Sequence, residues 1–126
     1  MTIDYKEKLF MREIAAIEGL EQGSEKVTIL FNDGSYIAQY HIADCCEHVQ
    51  VEQVDGNIEK HIGATAIDFM EKSKIATYEE VEESGTWTFY TLVTSKGYLD
   101  WRWLGESNGY YSESVESEFH ENKGKQ

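Results

Sequence analysis

Proline is absent from this chain of 126 residues, and only two of its residues are cysteine. Without proline, the turns have to be formed by glycine, asparagine and aspartate, which tolerate the backbone angles that turns require. No run of about eighteen apolar residues occurs, so the sequence predicts no membrane-spanning helix. The N-terminus also lacks the charged-then-apolar pattern of a signal peptide, and we therefore expect a soluble, intracellular protein.

Basic side chains are scarce as well. The chain has 11 lysines and arginines against 24 aspartates and glutamates, which gives a formal net charge of -13. A surface with this balance repels DNA, RNA and anionic membranes, and it attracts basic proteins at long range. The acids either keep a small domain soluble or form a surface for a basic partner. Two acidic runs stand out, Glu79, Glu80, Glu82 and Glu83 in the first and Glu113, Glu116, Glu118 and Glu121 in the second.

The length predicts one domain over residues 1–126, with residues 1–3 and 120–126 frayed. Hydrophobic residues make up 40% of the chain and aromatic residues 13%, which is too much for a disordered acidic chain. Because β-branched and aromatic residues dominate, the expected fold class is α+β, mainly an antiparallel β-sheet with one or two short helices.

The first two thirds of the chain divide into short elements. Asn32-Asp33-Gly34 has the composition of a hairpin turn. Thr77 and Glu80 have the spacing of a capping box, which would start one or two helical turns over residues 77–83, but an extended conformation fits the same residues. The predicted helices cover residues 4–10 and 57–62. The predicted strands cover residues 13–18, 27–31, 35–42, 48–54 and 64–70, and residues 13–18 also fit the end of the first helix.

The C-terminal third carries the strongest strand pattern. Residues 87–94 and 98–104 alternate between two faces and are separated by a turn at Lys96-Gly97. In the second of these strands, Leu99, Trp101 and Trp103 share one face. Asn108-Gly109 is a strong hairpin signal, and the strand that returns from it is predicted over residues 110–115.

Two blocks of this sequence resemble a family of small uncharacterised proteins from tailed bacteriophages and prophages. The first block is His41–Glu47 with Val49–Gly56 after it, and the second lies between Trp87 and Glu113. The second contains Trp-Thr-Phe-Tyr and Gly-Glu-Ser-Asn-Gly-Tyr-Tyr-Ser-Glu, and the resemblance extends over residues 9–118. It implies a phage-encoded protein that works in the bacterial cytoplasm, where small phage proteins often act on host immunity. It implies no activity and no catalytic residue.

Potential metal ligands are concentrated in one segment, which contains His41, Asp44, Cys45, Cys46, Glu47 and His48. Zinc takes sulfur and nitrogen ligands in a tetrahedron, but structural zinc sites usually pair two separated ligand couples, and the sequence has no second couple. The alternative is a tight connection in which Asp44 caps a turn. A disulfide between Cys45 and Cys46 would be strained, so reduced thiols are expected. The neighbouring carboxylates disfavour a reactive thiolate, and a cysteine-based enzyme is the least favoured interpretation.

Arg102 lies in the middle of a predicted strand among aromatic residues. An ion pair with Asp100 or a stack on Tyr98 is predicted for it. The alternative is that Arg102 grips a small ligand, helped by Glu106, Asn108 and Tyr110. Residues 105–109 also match the pattern G-x-S-x-G, but the residues that follow are strand formers rather than helix formers, so a hairpin turn is the better interpretation.

The spacing of the carboxylates suggests a function. Alternate residues of an extended strand lie about 6.6 Å apart on one face, close to two steps of about 3.4 Å along a DNA strand. If extended, Glu80 with Glu82, and Glu116 with Glu118, would imitate a phosphate backbone. The predicted contact residues are Glu79, Glu80, Glu82, Glu83, Glu106, Asn108, Tyr110, Glu113, Glu116 and Glu118.

The sequence therefore predicts a non-enzymatic phage protein that inhibits a basic host factor. The favoured target is a nucleic-acid-processing immune effector, with the protein acting as an anti-CRISPR or other anti-defence factor and in one form as a DNA mimic. It would bind no cofactor, no membrane and no nucleic acid directly. The alternative is a small-ligand or metal-binding module that uses residues 44–48 and Arg102.

Overall fold

A computed structural model of the protein describes residues 11–121. Within them, eight strands form one antiparallel sheet in the order β4-β7-β6-β5-β1-β2-β3-β8. One helix of four residues, α1, covers Ile58–His61. The strands are β1 Arg12–Glu18, β2 Lys26–Phe31, β3 Tyr36–Tyr40, β4 His48–Asp55, β5 Thr65–Ile75, β6 Ser84–Thr94, β7 Gly97–Ser107 and β8 Glu116–His120.

The expectation of a mainly antiparallel sheet is confirmed, and the helical part of the α+β prediction reduces to α1 within residues 11–121. No helix in this part of the chain is long and apolar enough to cross a membrane. The predicted helix at residues 4–10 and the predicted frayed residues 1–3 and 122–126 lie outside the described residues. His120 was predicted to fray, but it belongs to β8 and pairs with Tyr36 of β3.

The first hairpin forms as its turn residues predict. The backbone of Gly34 has a φ of 91°, a left-handed angle that glycine adopts without strain. The Asp33 carboxylate accepts a hydrogen bond of 2.9 Å from the backbone N–H of Ser35, which fixes the start of the returning strand. β2 and β3 then pair without a register shift from Leu30–Tyr36 to Lys26–Tyr40.

The sheet folds over one core, and inside this core Gln39 makes a polar contact between β3 and β7. Gln39 of β3 is 0% exposed. Its Oε1 accepts hydrogen bonds from the indole N–H groups of Trp101 at 2.9 Å and Trp103 at 3.2 Å, both on β7. Around this contact lies a cluster of buried apolar residues, including Ile29, Phe31, Ile37, Phe69, Tyr90 and Leu92.

One predicted alternation is wrong at the end of β4. The pattern placed Val54 opposite Val49 and Val51, on the other face of the strand. The structure has a register shift between Val51 and Gln53 against β7, and Val54 packs against the core. An irregularity of one residue reverses the side-chain direction, which the period-two pattern does not anticipate.

The predicted strand over residues 110–115 does not form. Both edges of β7 are already bonded, one to β6 and the other to β4, so no edge remains for a returning strand. The chain crosses over β7 at Gly105, where an added Cβ would lie 2.5 Å from the backbone oxygen of Glu113. It reaches the free side of β3 and pairs there as β8. Local turn chemistry at Asn108-Gly109 does not report which sheet edges are occupied.

We predict that Gln39→Met lowers the free energy of unfolding by about 2–4 kcal/mol, because it leaves two buried indole N–H groups without an acceptor. Methionine has a similar length, so the loss reports the hydrogen bonds rather than a cavity. Urea unfolding followed by tryptophan fluorescence measures the change. The control is Gln50→Met on β4, where the side chain is half-buried, and we expect a change within about 0.5 kcal/mol there. Equal effects of the two substitutions would contradict the role assigned to Gln39.

Candidate functional site

An open groove at the end of the β6–β7 hairpin away from its turn contains all four residues of the first acidic run. It has a volume of about 700 Å³. Its walls come from the turn that joins β5 to β6 (residues 76–83), from the end of β7, and from the start of β4. We call it the acidic groove; its lining residues are Cys46, His48, Tyr78, Glu79, Glu80, Val81, Glu82, Glu83, Ser84, Glu106, Ser107 and Asn108.

The β5–β6 turn is built on Thr77. Its backbone oxygen accepts hydrogen bonds from the N–H groups of Glu80 at 3.0 Å and Val81 at 3.1 Å, which makes one tight turn. Glu80 completes half of the predicted capping box, because its Oε1 accepts the N–H of Thr77 at 2.9 Å. Val81 is buried beside Gly85, where an added Cβ would lie 2.9 Å from a Val81 methyl group. The turn ends before Ser84, where β6 begins.

This geometry corrects the phosphate-spacing hypothesis for the first acidic run. Residues 77–83 form neither a strand nor a helix. Glu80 and Glu82 therefore lack the regular spacing of alternate residues on an extended strand. The capping-box signal was correct, but it specifies a single turn here. The chain does not continue as a helix, because the Val81 side chain is buried beneath the loop.

Glu80 serves the fold of the turn rather than its outer surface. Besides the Thr77 N–H, its Oε1 accepts the indole N–H of Trp87 at 3.0 Å. The hydrogen bond from the Thr77 backbone, followed by the one from Trp87, lowers the pKa of Glu80 below its ordinary value. The carboxylate is thereby held at the wall of the groove in its charged form.

Glu113 has a similar structural role beneath the groove. Its two carboxylate oxygens accept hydrogen bonds from the hydroxyls of Thr86 at 2.7 Å and Ser107 at 2.5 Å. Burial acts to raise the pKa of Glu113, but the hydrogen bonds from Ser107, Thr86 and Ser84 outweigh burial, and the pKa lies below its ordinary value. Glu113 therefore fastens the crossing segment to β6 and β7.

Four carboxylates of the groove remain without a partner. Within residues 11–121, no hydrogen bond or ion pair engages the carboxylates of Glu79, Glu82, Glu83 and Glu106. Lysine and arginine are absent from the described lining. Like charges that line one cleft reinforce each other's field, so this groove is a strongly negative part of the surface.

Other predicted contact residues lie away from the groove lining. Glu116 and Glu118 are on β8, at the opposite end of the strand order from β4. They keep the predicted strand spacing, but Glu118 accepts the hydroxyl of Tyr40 at 2.9 Å and contacts His120. Tyr110 is 82% exposed and packs edge-on against Tyr111 rather than lining the groove.

The segment proposed as an alternative metal site is organised by Glu47. Its side chain is 1% exposed. One carboxylate oxygen faces His41 Nε2 at 2.6 Å and accepts the N–H of Asp44 at 2.7 Å, while the other accepts the N–H of Cys45 at 3.0 Å. The hydrogen bond from His41 lowers the pKa of Glu47 to about 2, with the two backbone N–H groups acting in the same direction. The opposite ring nitrogen of His41 donates to the Ser114 backbone oxygen at 2.7 Å.

These contacts do not form a metal site. The structure joins Cys45 and Cys46 in a disulfide, contrary to the expected reduced thiols. Thiolate ligands are therefore not offered, and no three His, Cys, Asp or Glu side chains of residues 11–121 converge to hold a metal ion. The residues of the alternative site, His41, Asp44, Cys45, Cys46 and His48, instead form a connection between β3 and β4 whose Cys46 and His48 border the acidic groove.

Arg102 is satisfied within the sheet, but its predicted partners were wrong. Its Nε donates to Glu52 at 2.7 Å and its terminal nitrogen donates to Gln53 at 2.9 Å. The guanidinium lies 4.7 Å from the centre of the Trp87 ring. The register with β4 places Gln53 directly opposite Arg102, and cross-strand neighbours are closer than residues two apart on one strand. The ligand-gripping alternative for Arg102 stays a prediction; its side chain lines a cavity of about 470 Å³, and the predicted helpers Glu106 and Asn108 line the acidic groove instead.

The hydrogen bonds by which Glu47, Glu80 and Glu113 stabilise turns and connections were not predicted from the sequence. A usable signal existed for Glu80, since the capping-box spacing predicts an inward carboxylate. Glu47 bonds to His41, and Glu113 bonds to Ser107 and Thr86. Each glutamate is separated from its partners by turns, and the sequence pattern does not define the path of the chain through those turns. The placement of Cys46 and His48 at the groove was also missed, because it depends on the pairing of β4 with β7.

We predict that Glu47→Gln increases the amide hydrogen exchange of Asp44 and Cys45, because the neutral amide offers one acceptor oxygen in place of two. In the wild-type protein the same amides lose protection as the pH falls from about 4.5 toward about 2, since the lowered pKa makes Glu47 stabilising only while it is ionised. Exchange measured by NMR tests both effects. Glu82→Gln is the control, and it should leave these two amides unchanged. Unaltered exchange in Glu47→Gln would contradict the role of the carboxylate.

Comparison with known proteins identifies a family without an assigned activity. A family model described as "Domain of unknown function (DUF7448)" matches residues 7–117, so the chain belongs to this family. No curated protein and no solved structure matches the chain.

Proposed function

We propose that this member of the DUF7448 family is a phage-encoded, non-enzymatic protein that binds and inhibits a basic host factor. The favoured target is a nucleic-acid-processing immune effector, which makes the protein an anti-CRISPR or another anti-defence factor. The observation that carries the proposal is the acidic groove, with four carboxylates that have no partner within the described residues and no lining cation. Membership of the family supports neither this activity nor any other.

The charge of the groove favours a partner rich in lysine or arginine. Carboxylates that are not engaged internally keep their capacity to accept charge-assisted hydrogen bonds, and an arginine can bind one of them through two N–H groups. A cleft lined by charges of one sign also speeds the association of an oppositely charged partner. The net charge of -13 over the chain acts in the same direction at longer range.

The shape of the groove supports one mode of inhibition over another. A DNA mimic has to present regularly spaced charges, and the turn at residues 77–83 lacks strand spacing and forms part of the wall of a groove. A groove receives a protruding segment instead. We therefore propose that a basic loop or helix of the effector enters the acidic groove. Because effectors bind the phosphate backbone through lysine and arginine, occupation of such a segment would exclude nucleic acid.

The triple substitution Glu79→Lys, Glu82→Lys and Glu83→Lys tests the proposal. These side chains are exposed and make no hydrogen bond or ion pair within residues 11–121, so the fold should persist. We expect affinity for the basic partner to fall at least about tenfold, because close charge pairs become repulsive. Wild type and the variant are each used to capture proteins from a lysate of a bacterial host, and the captured proteins are identified by mass spectrometry. The partner is a protein that wild type retains and that elutes as the salt concentration rises toward about 0.5 M.

The matched control is Glu18→Lys, Glu21→Lys and Glu59→Lys, which makes the same change in net charge at exposed sites outside the groove. It should retain the partner that the groove variant loses. Loss of the partner in both variants would mean that overall charge, rather than the groove, governs binding. Full retention in the groove variant would overturn the proposal.

A further inference from the structure

His61 is a buried polar residue that the candidate site does not use. It is the last residue of α1, and its side chain is 0% exposed. α1 lies against the turn between β6 and β7, where an added Cβ at Gly97 would be 3.5 Å from Lys60 Nζ. His61 therefore fills the space between the helix and the turn at the end of the long hairpin opposite the acidic groove.

One hydroxyl connects the two elements. His61 Nδ1 lies 2.7 Å from the Oγ1 of Thr94, the last residue of β6. The same oxygen accepts the backbone N–H of Lys96 at 3.1 Å. Thr94 Oγ1 thus joins the imidazole of α1 to the backbone of the turn, and the contact depends on the ring staying in place.

The other ring nitrogen, Nε2, makes no hydrogen bond in the part of the chain that the structure describes. It is also buried. In the neutral ring this nitrogen can remain a bare lone pair, which costs less than a buried N–H without an acceptor. Protonation puts a hydrogen on both nitrogens and a charge on the ring, and within the described residues Nε2 makes no hydrogen bond that would stabilise its hydrogen.

The charged groups around the ring oppose protonation further. Burial, and after it the charge of Lys60 on α1, lower the pKa of His61 below its ordinary value. Lys96 on the turn acts in the same direction, and the backbone of Tyr98 on β7 opposes them. No carboxylate acts on the ring within the part of the chain that the structure describes. The closed arrangement therefore suits the neutral imidazole.

We propose that His61 is a pH-sensitive latch, in which the neutral ring holds α1 on the β6–β7 turn and protonation releases it. In the open state the exposed ring takes up a proton near its ordinary pKa of about 6.5. The closed state takes it up only at lower pH. The latch is thus fully closed above pH of about 6.5 and is weakened as the pH falls, by up to tenfold per pH unit in the ratio of closed to open states.

Hydrogen exchange of the full chain, read by NMR between pH 7.5 and pH 5, tests the latch. The reporters are the N–H of Lys96, bonded to Thr94, and the N–H of Ala64, bonded to the backbone oxygen of His61. After correction for the intrinsic pH dependence of exchange, their protection should fall by up to tenfold per pH unit below about 6.5. Amides of β2 should keep their protection. Protection of Lys96 and Ala64 that does not change with pH would overturn the proposal.

Two variants separate the latch from general acid sensitivity. His61→Phe keeps a ring but cannot take up a proton, so the protection of the two reporters should become independent of pH. His48→Phe removes an exposed histidine and should leave the wild-type pH dependence intact. Wild-type pH dependence in His61→Phe would overturn the latch. If His61→Phe does not fold, the NMR titration of His61 in the wild-type protein decides, because a ring that titrates at or above its ordinary pKa contradicts it.

Discussion

The pairing of β7 along both of its edges is the constraint on which the C-terminal part of the structure depends. With β6 on one side and β4 on the other, the chain that leaves Ser107 has no strand to join nearby. It has to cross the face of β7, and Gly105 provides the space. The crossing brings Glu113 under Ser107 and the Ser114 carbonyl to His41. The pairing of both β7 edges thus determines the path of the chain that forms the wall of the acidic groove and that contacts the connection before β4.

The acidic side chains of this protein divide into two groups with different physical roles. Glu47, Glu80 and Glu113 accept hydrogen bonds from backbone N–H groups, hydroxyls or an indole, and their pKa values are lowered. They stabilise turns that lack regular secondary structure. The carboxylates of Glu79, Glu82, Glu83 and Glu106 have no such partners in residues 11–121 and carry the proposed interaction. A count of charges therefore overstates the number of acids that are open to a partner.

Much of the fold was predictable from sequence, because strand alternation and turn residues are determined by neighbouring positions along the chain. The alternation of Leu99, Trp101 and Trp103 predicts the buried face of β7, and Asp33-Gly34 predicts the first hairpin. The errors arose where a distant strand decides the outcome. Val54 turns inward because of a shift against β7, and the strand predicted after Gly109 is displaced to β3.

The candidate site was partly predictable for the same reason. The run from Glu79 to Glu83 does meet Glu106 and Asn108, at the end of β7, in one groove. The sequence could not separate Glu80 from its neighbours by role, because Trp87 approaches only once β6 is formed. Nor could the sequence show that Glu116 and Glu118 lie away from the acidic groove. Their strand, β8, is at the opposite edge of the sheet from β4, and this follows from the strand order.

The unbroken ladder between β6 and β7 has a consequence for how this architecture can vary. The pairs run without a shift from Ser84–Ser107 to Thr94–Gly97. Inserting a single residue into one strand would exchange its inward and outward faces and place the tryptophans in solvent. Length changes within the hairpin therefore keep both the pairing and the buried faces only when each strand gains or loses two residues, or a multiple of two. Such changes would lengthen or shorten the distance between the two ends of the molecule in fixed increments.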